Sequence, residues 1–280
     1  VPVLADPPRP SKRVVSDELR KKVIATGSGL RFLTLANPKI IKGLEHGYAT
    51  AILHLAPANY SGHTVCKRFS QCSTTCLYHQ GRGIMPNVQK ARIRRTRELM
   101  ENREEAMSEI VLELRKIQKK LNKLNYSLPF AYSDAPDIKL ACRLNGLSDL
   151  TWETMLIHDN AVGNDEGETI FDIFPDVQFY DYTKYTYGTR PAWKNMPANY
   201  HLTFSFDGRE LDVDNAKEVL GHGHNVMVVH NKENYKHASI SNSRIWGYPT
   251  HDAEEHDLRF TDPRPVVLVG REKGYSQIAI

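Results

Sequence analysis

The sequence predicts an α/β fold: an open or partial (β/α) barrel with mainly parallel strands, a cysteine-rich loop after an early strand and one long basic helix. Three observations lead there. Short apolar runs bounded by Gly, Pro and polar residues recur along the chain and read as strands. The stretches between them are long enough for crossover connections, and strands alternating with helical stretches suggest a parallel sheet. The chain has 280 residues, 40% hydrophobic and 25% charged, which is the composition of a soluble globular protein able to bury a sizeable core.

Residues 1–30 are rich in Pro, Lys and Ser without a sustained period, so they read as an irregular N-terminal arm, and residues 31–280 as a single α/β domain. The start, Val1-Pro2-Val3-Leu4-Ala5-Asp6, lacks a basic region followed by an apolar stretch, so no secretory signal is expected. No run approaches the roughly 18 apolar residues of a membrane span. A cytoplasmic protein without a membrane partner is the expectation. The first strands are Leu33-Thr34-Leu35 and residues 49–55, the latter lying between Gly47 and Pro57. Later strands are expected at 138–144, 177–182, 200–206, 225–230 and 265–269, with crossover stretches at 151–157 and 213–220. Residues 58–86, full of Ser, Thr, Gly and Cys, read as a loop that something other than regular hydrogen bonding must order.

A helix is expected from Asn87, as its N-cap, to Leu124. Met100, Met107, Ile110, Leu114, Ile117, Leu121 and Leu124 form one stripe at three–four spacing, interrupted at Arg103. Such a stripe packs on a sheet or against a partner helix, and the second case would make the chain an assembly or host-interaction protein. Between Lys90 and Lys123 stand eleven Lys and Arg against six Glu, so one segment carries the excess of a chain whose formal charge is only +4. A basic stripe of this kind is a solvated face or a surface for a nucleotide or nucleic acid.

Three of the four cysteines, Cys66, Cys72 and Cys76, fall within eleven residues in the spacing C-x5-C-x3-C, directly after the strand that ends at Leu55-Ala56-Pro57. An odd, tight cluster in a chain without a signal favours a metal over a disulfide framework. Three thiolates can hold three irons of a 4Fe-4S cluster and leave the fourth iron open. The loop is similar to that of radical S-adenosylmethionine enzymes, where three cysteines follow the first strand of a partial barrel and the open iron receives that cofactor. The usual spacing there is C-x3-C-x2-C, from which this chain departs. Zinc is the alternative, with His63, His79 or Cys142 as a fourth ligand by residue type. Cys142, in an apolar strand, reads as a core residue.

In a parallel sheet the polar residues that end later strands line the same mouth as the first loop. They are Arg143, Asn145 and Asp149, then Asp181, Thr183 and Lys184, then His201 and Ser205. Arg suits a carboxylate or phosphate, Asn and Asp a ribose or amino group, and Lys184 a developing negative charge. The plainer roles are a surface ion pair for Asp181 and Lys184 and a hydrogen-bonded strand histidine for His201. The tract Gly221-His222-Gly223-His224 reads as a helix end and turn, and the polar loop from His251 to Asp257 as a segment without a ligand. Nucleotide-binding glycine loops and the HExxH string are absent.

Several strings carry a family resemblance: Ala51-Ile52-Leu53-His54-Leu55-Ala56-Pro57, Ser61-Gly62, the three cysteines with Cys76-Leu77, and Gly81-Arg82-Gly83. Further along come Arg95-Thr96, Arg143-Leu144-Asn145-Gly146 with Ser148-Asp149 and Trp152-Glu153, Phe179-Tyr180-Asp181-Tyr182-Thr183-Lys184, Asn199-Tyr200-His201-Leu202-Thr203-Phe204-Ser205, Asp257 with Arg259-Phe260, and Lys273-Gly274. Over roughly residues 45–275 the chain resembles the gene-product-88 family of bacteriophages. The resemblance implies a phage protein acting in the infected host cell and brings no known reaction. Lys67 and Phe69 stand where the family pattern has Pro and a small residue, and residues 251–257 replace a short Asp-Gly-Asp-like turn. Together these readings make an iron–sulfur protein, an enzyme of radical S-adenosylmethionine type acting on a nucleotide or nucleic-acid substrate, the leading expectation. A nucleic-acid-binding protein with a structural metal is the alternative.

Overall fold

The computed structural model describes residues 15–35, 38–69, 76–127, 137–158, 167–238 and 243–271. Cys72 therefore lies outside the described residues, as do residues 1–14 of the N-terminal arm and Lys273-Gly274. The arm is not irregular throughout, because Asp17–Thr26 forms helix α1. Ser16 caps it by accepting from the Leu19 amide at 3.1 Å, with Asp17 and Glu18 in the first turn where the helix dipole favours negative charge.

Strand β1 (Leu33–Thr34) and helix α2 (Pro38–Glu45) lead into β2 (Tyr48–Leu53). The single long helix expected next is two: α3 (Pro86–Glu101) and α4 (Arg103–Tyr126). The chain breaks at Asn102, whose φ of −129° and ψ of 60° leave the helical region, next to the Arg103 that interrupts the apolar stripe. The N-cap is Met85 rather than Asn87, with Pro86 at the first helical position, where its missing N–H costs nothing.

Strand β3 (Lys139–Arg143) follows, and then β4 (Leu156–Ile157) and β5 (Glu168–Thr169), which pair with each other antiparallel. The crossover expected at 151–157 is only a short helical turn at Trp152–Thr154 running into β4. After the one-turn α5 (Ile170–Ile173) come β6 (Gln178–Thr183), β7 (Tyr200–Ser205), α6 (Val213–Gly221) and β8 (Asn225–His230). Helix α7 (Lys232–Ala238), β9 (Arg244–Ile245), β10 (Tyr248–Asp252) and β11 (Val267–Arg271) complete the described chain.

Among the described residues the large sheet has nine strands in the order β1-β2-β3-β6-β7-β8-β11-β10-β9. Seven of them, from β2 through β10, are mutually parallel, while the two-residue edges β1 and β9 are antiparallel. The mostly parallel α/β architecture agrees with the sequence. The sheet is open and does not close into a barrel. Its strand order climbs steadily from β2 to β8, after which β11 inserts between β8 and β10, a strand the sequence reading missed.

Parallel strands must be covered on both faces. One face is apolar: Ala49 and Ala51, Leu140 and Cys142, Phe179, Leu202 and Phe204, Val226 and Val228 alternate inward along successive strands. Against them pack Met107, Ile110, Val111, Leu114, Ile117 and Leu121 of α4, and Val219 and Leu220 of α6. The stripe of α4 is thus consumed by the chain's own core, which removes the reason to expect a partner helix there. At its end Asn125 exchanges two 3.1 Å hydrogen bonds with the Ile138 backbone, fixing where β3 begins. Glu113, 2% exposed, projects from the same helix and accepts the amides of Arg31, Phe32 and Leu33, the last at 2.8 Å, so a buried carboxylate seats β1.

The other face carries Tyr48, Ala141, Tyr180 and Met227 and is covered by the segment between β10 and β11, from which Ala253, Leu258 and Phe260 pack onto it. Leu114 is fully buried between helix and sheet. The Leu114→Ala variant is expected to lose about 2–5 kcal/mol of stability, read as a lowered urea midpoint with an unchanged slope.

Candidate functional site

All seven parallel strands point their C-terminal ends to one edge, so the segment after β2 meets the segments that follow β3 and β6. Cys66 and Cys76, both partly buried, lie on that segment. Its stem is tied on every side. The Ala56 amide donates to Thr96 Oγ1 at 2.8 Å, Arg97 Nε donates to the Ser61 carbonyl at 2.9 Å, and His63 meets Glu101 at 2.9 Å, three bonds that hold it to α3. The Asp149 amide donates to the Val65 carbonyl at 2.8 Å, and the Arg68 guanidinium lies 5.4 Å above the Tyr185 ring. Beyond Cys76, Tyr78 stacks on Tyr60 at 4.8 Å, and the Tyr60 hydroxyl bonds His79 at 2.9 Å. His63 and His79 thus have partners of their own. Gly146 is required where the turn after β3 crosses the end of β2: a Cβ there would sit 2.6 Å from the Leu53 carbonyl oxygen and 2.7 Å from His54 Nδ1.

Three of the expected site residues, Asn145, Asp149 and Asp181, come together, but as a buried network. Asp181 accepts the Asn145 amide at 2.8 Å and the Tyr200 hydroxyl at 3.1 Å. Asn145 Oδ1 takes Ser148, the Leu150 amide and the Trp152 indole, while its Nδ2 donates to Leu150 and Asp181. Asp149 accepts the Lys184 amide at 2.8 Å. The hub is Arg190, which the sequence reading passed over. Its guanidinium, fully buried, donates to Asp149 at 3.0 Å, to both Glu153 oxygens at 2.9 and 3.0 Å, to the Leu150 carbonyl and to the Tyr200 hydroxyl. Burial pushes the Asp181 carboxyl up to about 7 against the opposing pull of the Asn145 amide, Arg143 and Arg190.

Lys184 Nζ donates to the Ser205 carbonyl at 3.0 Å and lies 3.4 Å from Ser205 Oγ, joining the ends of β6 and β7. Arg143 and His201 lie on the other face. Arg143 pairs with Asp257 at 2.7 Å and stacks over Tyr180 and Tyr182. His201 is buried near Thr203, and burial, then Arg264, pushes its pKa well below the ordinary histidine range. The segment from His251 to Asp262, read from sequence as a polar loop, instead buries Asp257, Arg259 and Asp262, with Arg259 3.0 Å from Asp262 and bonded to the Ala253 and His256 carbonyls. Only the string Asp257-x-Arg259-Phe260 hinted at this. Cys142 is wholly buried, its thiol pushed well up by burial and by Asp181, which makes it a core residue. The Gly221–His224 tract ends α6, and His222 stacks on Tyr187 at 3.7 Å.

Arg92 is 9% exposed, and its Nε and Nη1, like those of Arg259, have no hydrogen-bond partner. Its guanidinium lies 5.7 Å from the Tyr78 ring centre. Burial lowers its pKa, and of the nearby groups Tyr78 and Cys76 favour its charge whereas Arg95 opposes it. His54, whose Nδ1 is likewise unpartnered, is held neutral by burial and by Arg92, Arg143 and Arg95, its pKa pushed down to about 3. The other arginines expected to meet nucleic acid are engaged within the chain: Arg95 with the Arg31 carbonyl at 2.6 Å, Arg97 with Ser61, and Arg94 with Glu98 at 3.6 Å. Among the described residues no group of three or more His, Cys, Asp or Glu side chains is arranged to hold a metal ion, and no helix is long and apolar enough to cross a membrane.

Two outcomes are expected from this geometry. Arg190→Met leaves two buried carboxylates unpaired and costs about 3–5 kcal/mol, measurable by urea unfolding at pH 7. Folded Asp181 keeps its proton up to about 7, whereas the unfolded chain releases it near about 3.9. Between these values the folded state binds more protons, so this contribution is complete at low pH and fades as pH rises. Urea midpoints from pH 4 to 8 should show that decline in the wild type and its removal in Asp181→Asn.

The model of the family described as Gene product 88 matches residues 30–279. No curated protein and no solved structure matches the chain. The matched span takes in the whole parallel sheet, the cysteine loop and the buried network at its rim, and the chain belongs to the Gene product 88 family, a family of phage proteins.

Proposed function

We propose that this chain is an iron–sulfur protein in which Cys66, Cys72 and Cys76 hold a 4Fe-4S cluster at the C-terminal rim of the parallel sheet. The donor set fits the group: three thiols within eleven residues, two of them on a stem pinned to α3 and to the turn after β3. The observation that carries the reading is the buried Arg92, a guanidinium with two unpaired nitrogens whose charge Cys76 favours. A buried cation needs compensating negative charge, and a cluster with its thiolates is anionic.

With only three cysteines as ligands, one iron stays open to a small molecule, S-adenosylmethionine in the leading reading, and supplies redox or radical chemistry there. Lys184, held by Ser205 at the same rim, offers a positive charge to a phosphate or carboxylate of a nucleotide or nucleic-acid substrate. Asn145, Asp149 and Asp181 position that rim by fixing the turns after β3 and β6. Arg143 and His201, on the opposite face, serve the packing of residues 253–262. The nucleic-acid-binding alternative draws less support, because Arg92 is buried and Arg95 and Arg97 each donate to a backbone carbonyl of the chain.

Iron, zinc and acid-labile sulfide on anaerobically purified protein, with the visible spectrum, test the reading. About four irons and four sulfides per chain, lost when Cys66, Cys72 and Cys76 are all changed to Ala, are expected, with S-adenosylmethionine cleaved under reducing conditions. One zinc per chain, or no metal at all, would overturn the iron–sulfur assignment.

A further inference from the structure

Among the described residues Arg92 differs in one respect from the buried Arg190 and Arg259 and the largely buried Arg143. Arg190 faces Asp149 and Glu153, Arg143 faces Asp257, and Arg259 faces Asp262, each within 3.0 Å. Among the described residues no carboxylate acts on Arg92 in this way. The groups that favour its charge are Tyr78, a phenol whose own pKa is raised, and Cys76. Its Nη1 is also confined, since a Cβ on Gly83 would come within 3.2 Å of it. Leaving a guanidinium buried without a counter-charge costs several kcal/mol by order of magnitude, so something anionic belongs beside it. Of the groups that favour its charge, Cys76 belongs to the cysteine loop.

We propose that Arg92 is the counter-charge of the metal centre on the cysteine loop, its Nε–H and Nη1–H groups donating to the sulfur atoms around Cys76. This rests on the metal-centre reading and adds a positioning residue to it. Hydrogen bonds and net charge at the sulfurs set the potential of an iron–sulfur centre. A fixed positive charge favours the state with one more electron, so removing it makes the centre harder to reduce. Partners of ligands also govern how firmly a metal is held. Thr96, whose hydroxyl donates to the Arg92 carbonyl at 2.8 Å and accepts the Ala56 amide, couples the turn of α3 that bears Arg92 to the strand end that feeds the loop.

The experiment compares anaerobically reconstituted wild type with Arg92→Gln, Arg92→Lys and Arg94→Gln. Arg94 is an exposed neighbour on the same helix. Circular dichroism verifies folding. Expected are a lower iron and sulfide content in Arg92→Gln, a more negative midpoint potential for the cluster that remains, an intermediate potential in Arg92→Lys, and wild-type values in Arg94→Gln. A role in packing alone would lower stability without moving the potential. Folded Arg92→Gln with wild-type iron content and potential overturns the proposal; should that variant fail to fold, wild-type iron content and potential in Arg92→Met, which keeps an apolar stem without the charge, do so. If the wild type holds zinc instead, the iron–sulfur reading falls, while the role of Arg92 is decided by release to a chelator, expected about 10- to 100-fold faster in Arg92→Gln. A metal-free wild type removes both.

Discussion

Arg190 is the tie on which the rim of the sheet depends. A guanidinium presents five donors in a planar fork, and here all the groups they reach lie in three different places: the turn after β3, the helical turn at Trp152–Thr154, and the start of β7. Through Asp149 the same fork reaches Val65, and so the stem of the cysteine loop. Burying such a cation is tolerable because two carboxylates and a phenol answer it. The order of the rim therefore comes from satisfied charge rather than from regular backbone pairing, which ends with the strands.

The two faces of the sheet solve the same covering problem with different chemistry. One is alternating Ala, Leu, Phe and Val under α4 and α6, an apolar contact whose strength scales with area. The other carries Arg143, Tyr180, Tyr182 and His201, and the segment from Ala253 to Asp262 brings opposite charges and aromatic rings to it. Phe260 packs edge-on against Tyr48 and Tyr180 at 4.9 and 5.3 Å, and the Tyr182 hydroxyl lies 3.3 Å from Asp257. A segment that looks hydrophilic along the chain is thus interior. Its acids and arginines cancel one another once folded.

Seen against these paired interiors, the region after β2 has a distinct electrostatic character. Arg92, Arg95 and Arg143 all press on His54 and keep it neutral, and Arg92 has donors to spare. Positive charge thus gathers at the C-terminal rim of the parallel sheet, on the same side as the partly buried Cys66 and Cys76.

The sequence by itself determined the local elements whose cause is local. Alternating apolar residues mark β2, β3, β6, β7 and β8, and the three–four stripe marks α4 as a core helix. The glycines at 221 and 223 mark the end of α6. The break at Asn102 is not read from the sequence, although the apolar stripe is interrupted next to it at Arg103. Tertiary structure alone decided what depends on partners distant in the chain. The insertion of β11 between β8 and β10 rests on hydrogen bonds that no local period encodes. The burial of Arg190, Arg259 and Asp257 follows because a charge reads as polar until an opposite charge from elsewhere meets it. The same reason hid Arg92: within a basic helix it resembles its exposed neighbours, and only the packing of Tyr78 and Gly83 against it sets it apart.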